Sequence, residues 1–170
     1  MATRMILKNG DPQLRKHCHE VKDFNPRLHM LLDDMRQTLA ESNGVGLAAP
    51  QVGIIRRACI VMETNVPEGE DEYFIELVNP EIIERDGEQE GGEGCLSLPE
   101  RYGVVKRPNH VKVRAQDRNG NTFEVEGTGL TARCFCHEID HLDGVLFTDR
   151  ATHMYTDEEM EELYGGDDKE

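Results

Sequence analysis

The chain lacks any long run of apolar residues, since no stretch of it approaches the ~18 residues that a membrane-spanning helix requires. This absence excludes a transmembrane helix. Tryptophan is also absent, although hydrophobic residues make up 37% of the 170 residues and suffice for one core. Residues 1–11 contain neither an apolar segment nor a small-residue cleavage site, and they are not rich in serine or basic side chains. We therefore expect neither a secretory signal nor an organelle-targeting peptide.

Basic residues are scarce, because 19 Lys and Arg stand against 34 Asp and Glu, which gives a net charge of -15. A protein held on nucleic acid by phosphate contacts needs clustered Lys and Arg. We therefore expect no direct nucleic-acid binding. Acidity of this size is typical of a protein that stays soluble in the cytoplasm.

The five cysteines stand at positions 18, 59, 95, 134 and 136. Their odd number and the lack of an export signal argue against a disulfide framework and favour a reducing compartment. Free thiols in such a compartment are packing residues, metal ligands or nucleophiles. We expect a cytoplasmic protein.

Hydrophobic periodicity and turn signals predict a mixture of helices and strands. A helix is predicted over 26–42, where apolar residues recur at helical spacing after Asn25-Pro26, and a second helix begins after Thr128 as its cap and ends near Gly144. Strands are predicted at 58–62, 73–78, 82–85, 111–115 and 122–125, and a short acidic helix at 157–164 before a loose end. No element is assigned to residues 87–94, which are rich in Gly and Glu. Because no βαβ repeat is present, we predict one α+β domain over residues 1–170.

Residues 137–141 read His-Glu-Ile-Asp-His and form a metal-hydrolase signature. On a helix, His137 and His141 lie about 6 Å apart along the axis and about 40° apart around it, so both can point at one ion. Glu138 lies a quarter-turn away, where it can reach a water molecule on that ion. The alternative is two surface histidines on an acidic helix.

A third ligand is needed for a catalytic site of this kind. Cys134 shares the helix face but lies about 10 Å along the axis from His141, which is too far for both to bind one ion. Cys136 faces the other side of the helix, and Cys59 lies in an apolar strand. Cys95 remains, either as the ligand or equally well as a free cysteine in the core.

Three segments resemble the signature motifs of peptide deformylases, in the same order along the chain. They are Gly-Val-Gly-Leu-Ala-Ala-Pro-Gln at 44–51, Glu-Gly-Cys-Leu-Ser-Leu-Pro at 93–99 and the histidine motif at 137–141. The likeness extends over roughly 6–149. It implies antiparallel sheets packed around the metal helix, and removal of the formyl group from the N-terminal methionine of newly synthesised polypeptides. It further implies Fe²⁺ as the physiological metal, with Zn²⁺, Ni²⁺ or Co²⁺ able to substitute.

The resemblance also implies roles for individual residues. The metal ligands would be Cys95, His137 and His141. Glu138 would carry the proton from water to the leaving amine, while the Gln51 side-chain amide and the Leu96 backbone N–H would stabilise the oxyanion. Without the resemblance, Gln51 reads as a surface amide after a proline.

Substrate binding is implied for residues that flank the motifs. Val45, Gly46 and Gly94 would pair with the peptide backbone of the substrate, and Leu130 and Cys134 would line the methionine pocket. The alternatives are a tight turn for the glycine after the first helix, and ordinary core packing for the two pocket residues.

Several positions depart from the family pattern or stay open. Cys136 stands where the family usually has Gln, and we expect a packing change with activity retained. The family's arginine after the cysteine motif matches Arg101 or Arg107 without a clear choice. Glu93 and Asp140 either support the metal ligands or are exposed carboxylates.

The chemistry leaves two other function classes open. A zincin-type endopeptidase uses the same histidine motif but takes its third ligand downstream, where His153 is available. A non-catalytic protein with this fold would bind metal or formylated peptides without turnover. We expect a monomer, and the acidic residues 159–170 argue against ribosome docking by a basic C-terminal extension.

Overall fold

The computed structural model describes residues 2–164, in which seven consecutive strands lie between the first helix and the last three helices, with an eighth strand before the final helix. The helices are α1 (Pro26–Ser42), α2 (Gly129–Leu142), α3 (Phe147–Arg150) and α4 (Asp157–Tyr164). The strands are β1 (Gly46–Ala48), β2 (Ala58–Glu63), β3 (Tyr73–Asp86), β4 (Gln89–Cys95), β5 (Leu98–Arg107), β6 (His110–Gln116), β7 (Thr122–Thr128) and β8 (Ala151–Met154). The predicted loose end falls on residues 165–170, outside the described part.

Two antiparallel sheets form the scaffold. The larger has the strand order β1-β2-β3-β6-β7, and the smaller has the order β4-β5-β8. This arrangement confirms the predicted α+β class. It also leaves β1 and β4 as edge strands of different sheets, each with one side unpaired within its sheet.

Helix α1 follows the sequence prediction residue for residue. Asn25 accepts a hydrogen bond from the Leu28 N–H, and Pro26 occupies the first turn, where its missing N–H is harmless. Asn43 ends the helix in the left-handed conformation at φ 57°. The apolar face of α1 packs in one core cluster with residues of β1 and β2 such as Leu47 and Ile60.

Helix α2 is buried on almost every side, because it packs against the inner face of the larger sheet. Thr128 occupies the cap position as predicted, but its side chain makes no capping hydrogen bond. The helix ends at Leu142, and the N–H of Gly144 then returns to the His141 carbonyl. For the described residues, no helix is long and apolar enough to cross a membrane.

The structure corrects the strand prediction by merging two predicted strands and by adding four strands, β1, β4, β5 and β8, that the sequence did not predict. The strands predicted at 73–78 and 82–85 are one strand, β3, which a bulge interrupts at Asn79 (φ 51°) and Pro80. Residues 89–95 form β4 although glycine has little strand propensity, because they pair with β5 along almost their whole length. This pairing, which no local pattern reveals, places Cys95 at the end of a strand.

Candidate active site

Three ligand atoms from two distant parts of the chain meet beside α2. His141 Nε2 lies 3.2 Å from His137 Nε2 and 3.4 Å from Cys95 Sγ. Among the described residues, this is the one group of His, Cys, Asp and Glu whose ligand atoms converge, all within 4.8 Å of one another. The two histidines are 8% and 1% exposed, so the alternative of surface histidines is wrong.

The spacing of these atoms fits a tetrahedral metal site. Bonds of about 2.0 Å to nitrogen and 2.3 Å to sulfur put two nitrogens about 3.3 Å apart, and nitrogen and sulfur about 3.5 Å apart. The observed 3.2 and 3.4 Å agree with both values. Among the described residues His153 is outside this group and instead contacts Glu159, so nothing supports the downstream ligand of a zincin.

The electrostatics of the site favour a cation. Burial lowers the pKa of His141 well below its usual range, which keeps the ring in the neutral form that binds metals. Burial alone would also lower the pKa of His137, but the charge of Glu138 and the contact with Cys95 raise it well above its usual range. The surroundings that favour a proton on His137 also favour a metal ion.

Glu93 orients His137 from behind. His137 Nδ1 donates to Glu93 Oε1 at 2.5 Å, which leaves Nε2 facing the other two ligands. Burial opposes ionisation of this carboxyl, yet hydrogen bonds from His137 and Arg107 outweigh it and hold the pKa of Glu93 well below its usual range. Glu93 is therefore a buried support of the kind that metal-binding histidines use, and its reading as an exposed carboxylate is wrong.

Two arginines complete the support of Glu93. Arg107 Nη2 donates to its Oε1 at 2.6 Å, and Arg133 Nη1 donates to its Oε2 at 2.7 Å. Arg107 also donates to Asp140 at 2.7 Å, so it is committed to a buried ion-pair network. Asp140 joins this network rather than the ligand group, and Cys136 lies close enough to both partners to interact with their charges.

Glu138 lies beside the three ligand atoms, and one of its carboxylate oxygens forms no hydrogen bond among the described residues. Its Oε2 is 4.0 Å from His137 Nε2, and its Oε1 is buried without a hydrogen-bond partner among the described residues. Burial raises the pKa of Glu138 to about 7, against the opposing charge of His137. Gly46 permits this position, because a Cβ there would lie 2.5 Å from Glu138 Oε2.

Gln51 is 1% exposed, so its reading as a surface amide is wrong. Its Oε1 accepts the Ala48 N–H at 2.9 Å, which fixes which end of the amide faces the site. Its Nε2 donates to Ser97 Oγ at 3.1 Å and lies 3.5 Å from Cys95 Sγ. The side-chain amide therefore presents N–H groups beside the ligand cysteine.

A cavity of about 300 Å³ opens onto these groups. Ten of the eleven site residues predicted from the sequence line this cavity, and His141 does not. Leu130 is 48% exposed at the rim, which contradicts its reading as a core residue, whereas Cys134 is buried. A larger cavity of about 780 Å³ at the start of α1 contains none of the eleven, and no metal-ligand group.

Four lining residues were given no site role by the sequence prediction: Asn43, Gly92, Tyr102 and Arg133. Arg133 stands four residues before His137 and thus shares its helix face, a signal that was present in the sequence. Tyr102 pairs with Gly94 across the β4–β5 ladder, which becomes visible only once β4 is known to be a strand.

Comparison with known proteins agrees with this geometry. The family model described as polypeptide deformylase matches residues 3–157. The peptide deformylase of Agathobacter rectalis is 50% identical over 165 residues, covering 95% of this chain and 100% of the relative. That of Caldicellulosiruptor bescii is 49% identical over 169 residues, covering 99% and 98%.

Solved structures lead to the same family. The crystal structure of a peptide deformylase from Legionella pneumophila has a TM-score of 0.81 at 40% identity and covers 99% of this chain and 95% of its own. A Met-Ala-Ser-bound peptide deformylase from Acinetobacter baumannii has a TM-score of 0.81 at 38% identity, covering 88% and 100%. With its matching family model, relatives and fold, the chain belongs to the polypeptide deformylase family, whose enzymes remove the formyl group from the N-terminal methionine of newly made polypeptides.

Proposed function

We propose that Cys95, His137 and His141 hold one divalent metal ion and that Glu138 transfers the proton during hydrolysis of N-formyl-methionyl peptides. The observation that carries this proposal is the convergence of three ligand atoms beside a carboxylate with an unpartnered oxygen. A binding protein would have no use for a proton acceptor at this place, so the arrangement favours turnover.

A divalent ion in this donor set supplies Lewis acidity toward water and toward the formyl oxygen. A thiolate with two imidazoles suits iron or zinc. We propose Fe²⁺ as the physiological metal, with Zn²⁺, Ni²⁺ or Co²⁺ able to substitute, because the three motifs of the chain match those of the deformylases.

Glu138 is suited to move a proton in both directions. A carboxyl whose pKa is near 7 accepts a proton from water and gives it up to an amine without a large energetic penalty for either step. Its unpartnered Oε1 provides the accepting atom. We therefore assign it the transfer from the attacking water to the nitrogen of the departing peptide.

Gln51 and Leu96 are the proposed donors to the developing oxyanion. The Gln51 amide is held by the Ala48 N–H and the Ser97 hydroxyl, so its orientation is set before substrate arrives. Leu96 directly follows the ligand Cys95 and lines the same cavity. Each donor of this kind contributes about 10²–10³ to kcat when it is positioned in advance.

The substrate peptide is proposed to lie between the two edge strands. Val45 and Gly46 at the start of β1, and Gly94 near the end of β4, line the cavity from opposite sheets. Backbone pairing with such edges reads no substrate side chains, which suits an enzyme that acts on many different nascent chains. Leu130 and Cys134 would hold the methionine side chain.

We also propose that the chain acts as a monomeric catalytic domain in the cytoplasm. Helix α4 has three acidic residues in its first turn, so it offers no positive surface for ribosomal RNA. Any contact of this chain with the ribosome would have to use another surface.

The test measures formate release from formyl-Met-Ala-Ser by anaerobically purified protein together with its metal content. We expect Glu138→Ala to keep its bound metal while its kcat falls by a factor of about 10²–10⁴. The exposed Glu90, whose Oε2 lies 3.9 Å from Lys106 Nζ, offers Glu90→Ala as a control of equal charge change. Internal cleavage of an unformylated peptide without formate release would refute the proposal, as would unchanged turnover in Glu138→Ala.

A further inference from the structure

The connection between β4 and β5 has an unusual conformation for its length. Cys95 pairs with Leu98, so only Leu96 and Ser97 form the loop. Two-residue hairpin loops normally adopt turns in which one or both residues have positive φ. Neither Leu96 nor Ser97 has positive φ, and the ladder shifts register between Gly94 and Cys95. Positive φ occurs instead at Glu100 (φ 62°), where β5 bulges beside the register shift, and the two loop residues receive further hydrogen bonds from elsewhere in the chain.

Those contacts come from three consecutive residues near the start of the chain, residues 7–9, which we name the N-terminal clamp. Lys8 Nζ donates to the Leu96 carbonyl at 3.1 Å, and the Asn9 N–H donates to the Ser97 carbonyl at 2.8 Å. The Leu7 N–H donates to the Gln51 carbonyl at 2.7 Å. The clamp thus holds both carbonyls of the loop and the backbone of the glutamine.

We propose that Lys8 is a positioning residue for deformylation, because it fixes the loop that carries the Leu96 N–H. This inference rests on the proposed role of Leu96 and Gln51 as oxyanion donors. Lys8 is not among the residues that line the cavity, so we expect it to act through the loop. Its ammonium makes a charge-assisted hydrogen bond, the stronger kind, to the Leu96 carbonyl.

Small displacements of an oxyanion donor have large kinetic effects, since a misplacement of about 1 Å can lower a rate about 10²-fold. Loss of the Lys8 contact frees one of the two clamped carbonyls while the Asn9 contact remains. We therefore expect a partial loss of positioning. The ground-state substrate makes its contacts elsewhere, so the effect should fall on kcat rather than on KM.

The test compares Lys8→Met and Lys8→Arg with the control Lys16→Met. Lys16 is likewise exposed, its substitution removes the same charge, and its side chain forms no hydrogen bond or ion pair among the described residues. We expect Lys8→Met to lower kcat per bound metal ion about tenfold with KM within about twofold. Lys8→Arg should restore at least half of the activity, because it keeps a charged donor.

Amide hydrogen exchange of the segment 95–98 gives a measurement that is independent of turnover. We expect faster exchange in Lys8→Met than in Lys16→Met, with metal content and melting temperature equal. Equal kcat per metal ion in the two variants would overturn the proposal, and so would equal exchange. Failure of the proposed function looks different, because the unsubstituted protein itself would then release no formate.

Discussion

The close approach of Gly46 to Glu138 allows a sharp test of how the carboxylate that we propose to transfer the proton is positioned. In Gly46→Ala the new Cβ would lie 2.5 Å from Oε2 and 2.9 Å from both Cδ and Cγ of Glu138. Ordinary contacts between non-bonded heavy atoms begin near 3.5 Å. The whole carboxylate end must therefore move by about 1 Å, because moving one oxygen alone does not relieve the overlap.

The size of the effect follows from this displacement. Glu138 is only 4% exposed, so its side chain has little free space into which it can rotate. A shift of about 1 Å of a catalytic group lowers kcat by about 10²-fold. Overpacking costs about 1–3 kcal/mol in stability, of which Gly→Ala recovers about 0.4–1 kcal/mol by restricting the unfolded chain. We expect a folded, metal-loaded and nearly inactive enzyme.

A matched glycine on the other edge strand provides the control. At Gly91 a Cβ would meet its nearest neighbour, Arg133 Nη2, at 3.5 Å, which is an ordinary contact. Gly91→Ala should therefore keep kcat within about twofold. The assays are formate release per bound metal ion and urea unfolding. If Gly46→Ala keeps the same kcat as Gly91→Ala, the carboxylate does not depend on this position and the reasoning is refuted.

Three further predictions concern the surroundings of the site and the stability of the fold. Glu93→Gln should weaken metal binding about 10–100-fold, measured by competition with a chelator, because His137 loses its charged acceptor; unchanged affinity would contradict this support. Cys136→Gln should keep kcat within about threefold, because residue 136 faces the ion pairs rather than the ligands; a larger loss would contradict that placement. Burial alone would raise the pKa of Glu76, but hydrogen bonds from Arg118 and Arg36 outweigh it and lower the pKa. The ionised Glu76 therefore stabilises the fold above about pH 4.3, and this stabilisation is lost as the pH falls through the pKa of the folded state. Glu76→Gln should therefore destabilise the protein more at pH 7 than at pH 3 in urea unfolding, and equal destabilisation at both would contradict this sign.

Helices α1 and α2 were predictable from the sequence because their signals are local. The Asn25 cap, the apolar stripe and the Asn43-Gly44 stop all lie within or beside α1 itself. The two histidines face one point because four residues make about one helical turn. In both helices, the information that fixes the geometry is contained in fewer than twenty neighbouring residues.

Strand β4 shows why other parts could not be predicted. Its sequence is rich in Gly and Glu, which gives neither strand propensity nor a hydrophobic pattern, and only the ladder with β5 makes it a strand. Glu90 and Glu93 look equivalent in the sequence, yet one is exposed and the other is 7% exposed beneath two arginines. The third metal ligand was open to doubt for the same reason, because long-range pairing decides its position. The resemblance of the three motifs to those of a known family pointed to Cys95 as the third ligand, whereas local sequence patterns did not.

Charge balance relates the cysteine and the carboxylate of the site to the separate ion-pair network behind His137. Arg107 and Arg133 both donate to Glu93, so the negative charge behind His137 is compensated within the protein. Cys95 and Glu138 also line the cavity, and neither forms an ion pair with an arginine or lysine among the described residues. Buried charges are stable only when they are paired, so a bound divalent cation would be balanced in sign and number by a deprotonated Cys95 and an ionised Glu138. Against the effect of burial, the negative charge of Glu138 also raises the pKa of His137. A proton on His137 compensates part of the charge that a bound metal ion would compensate in full.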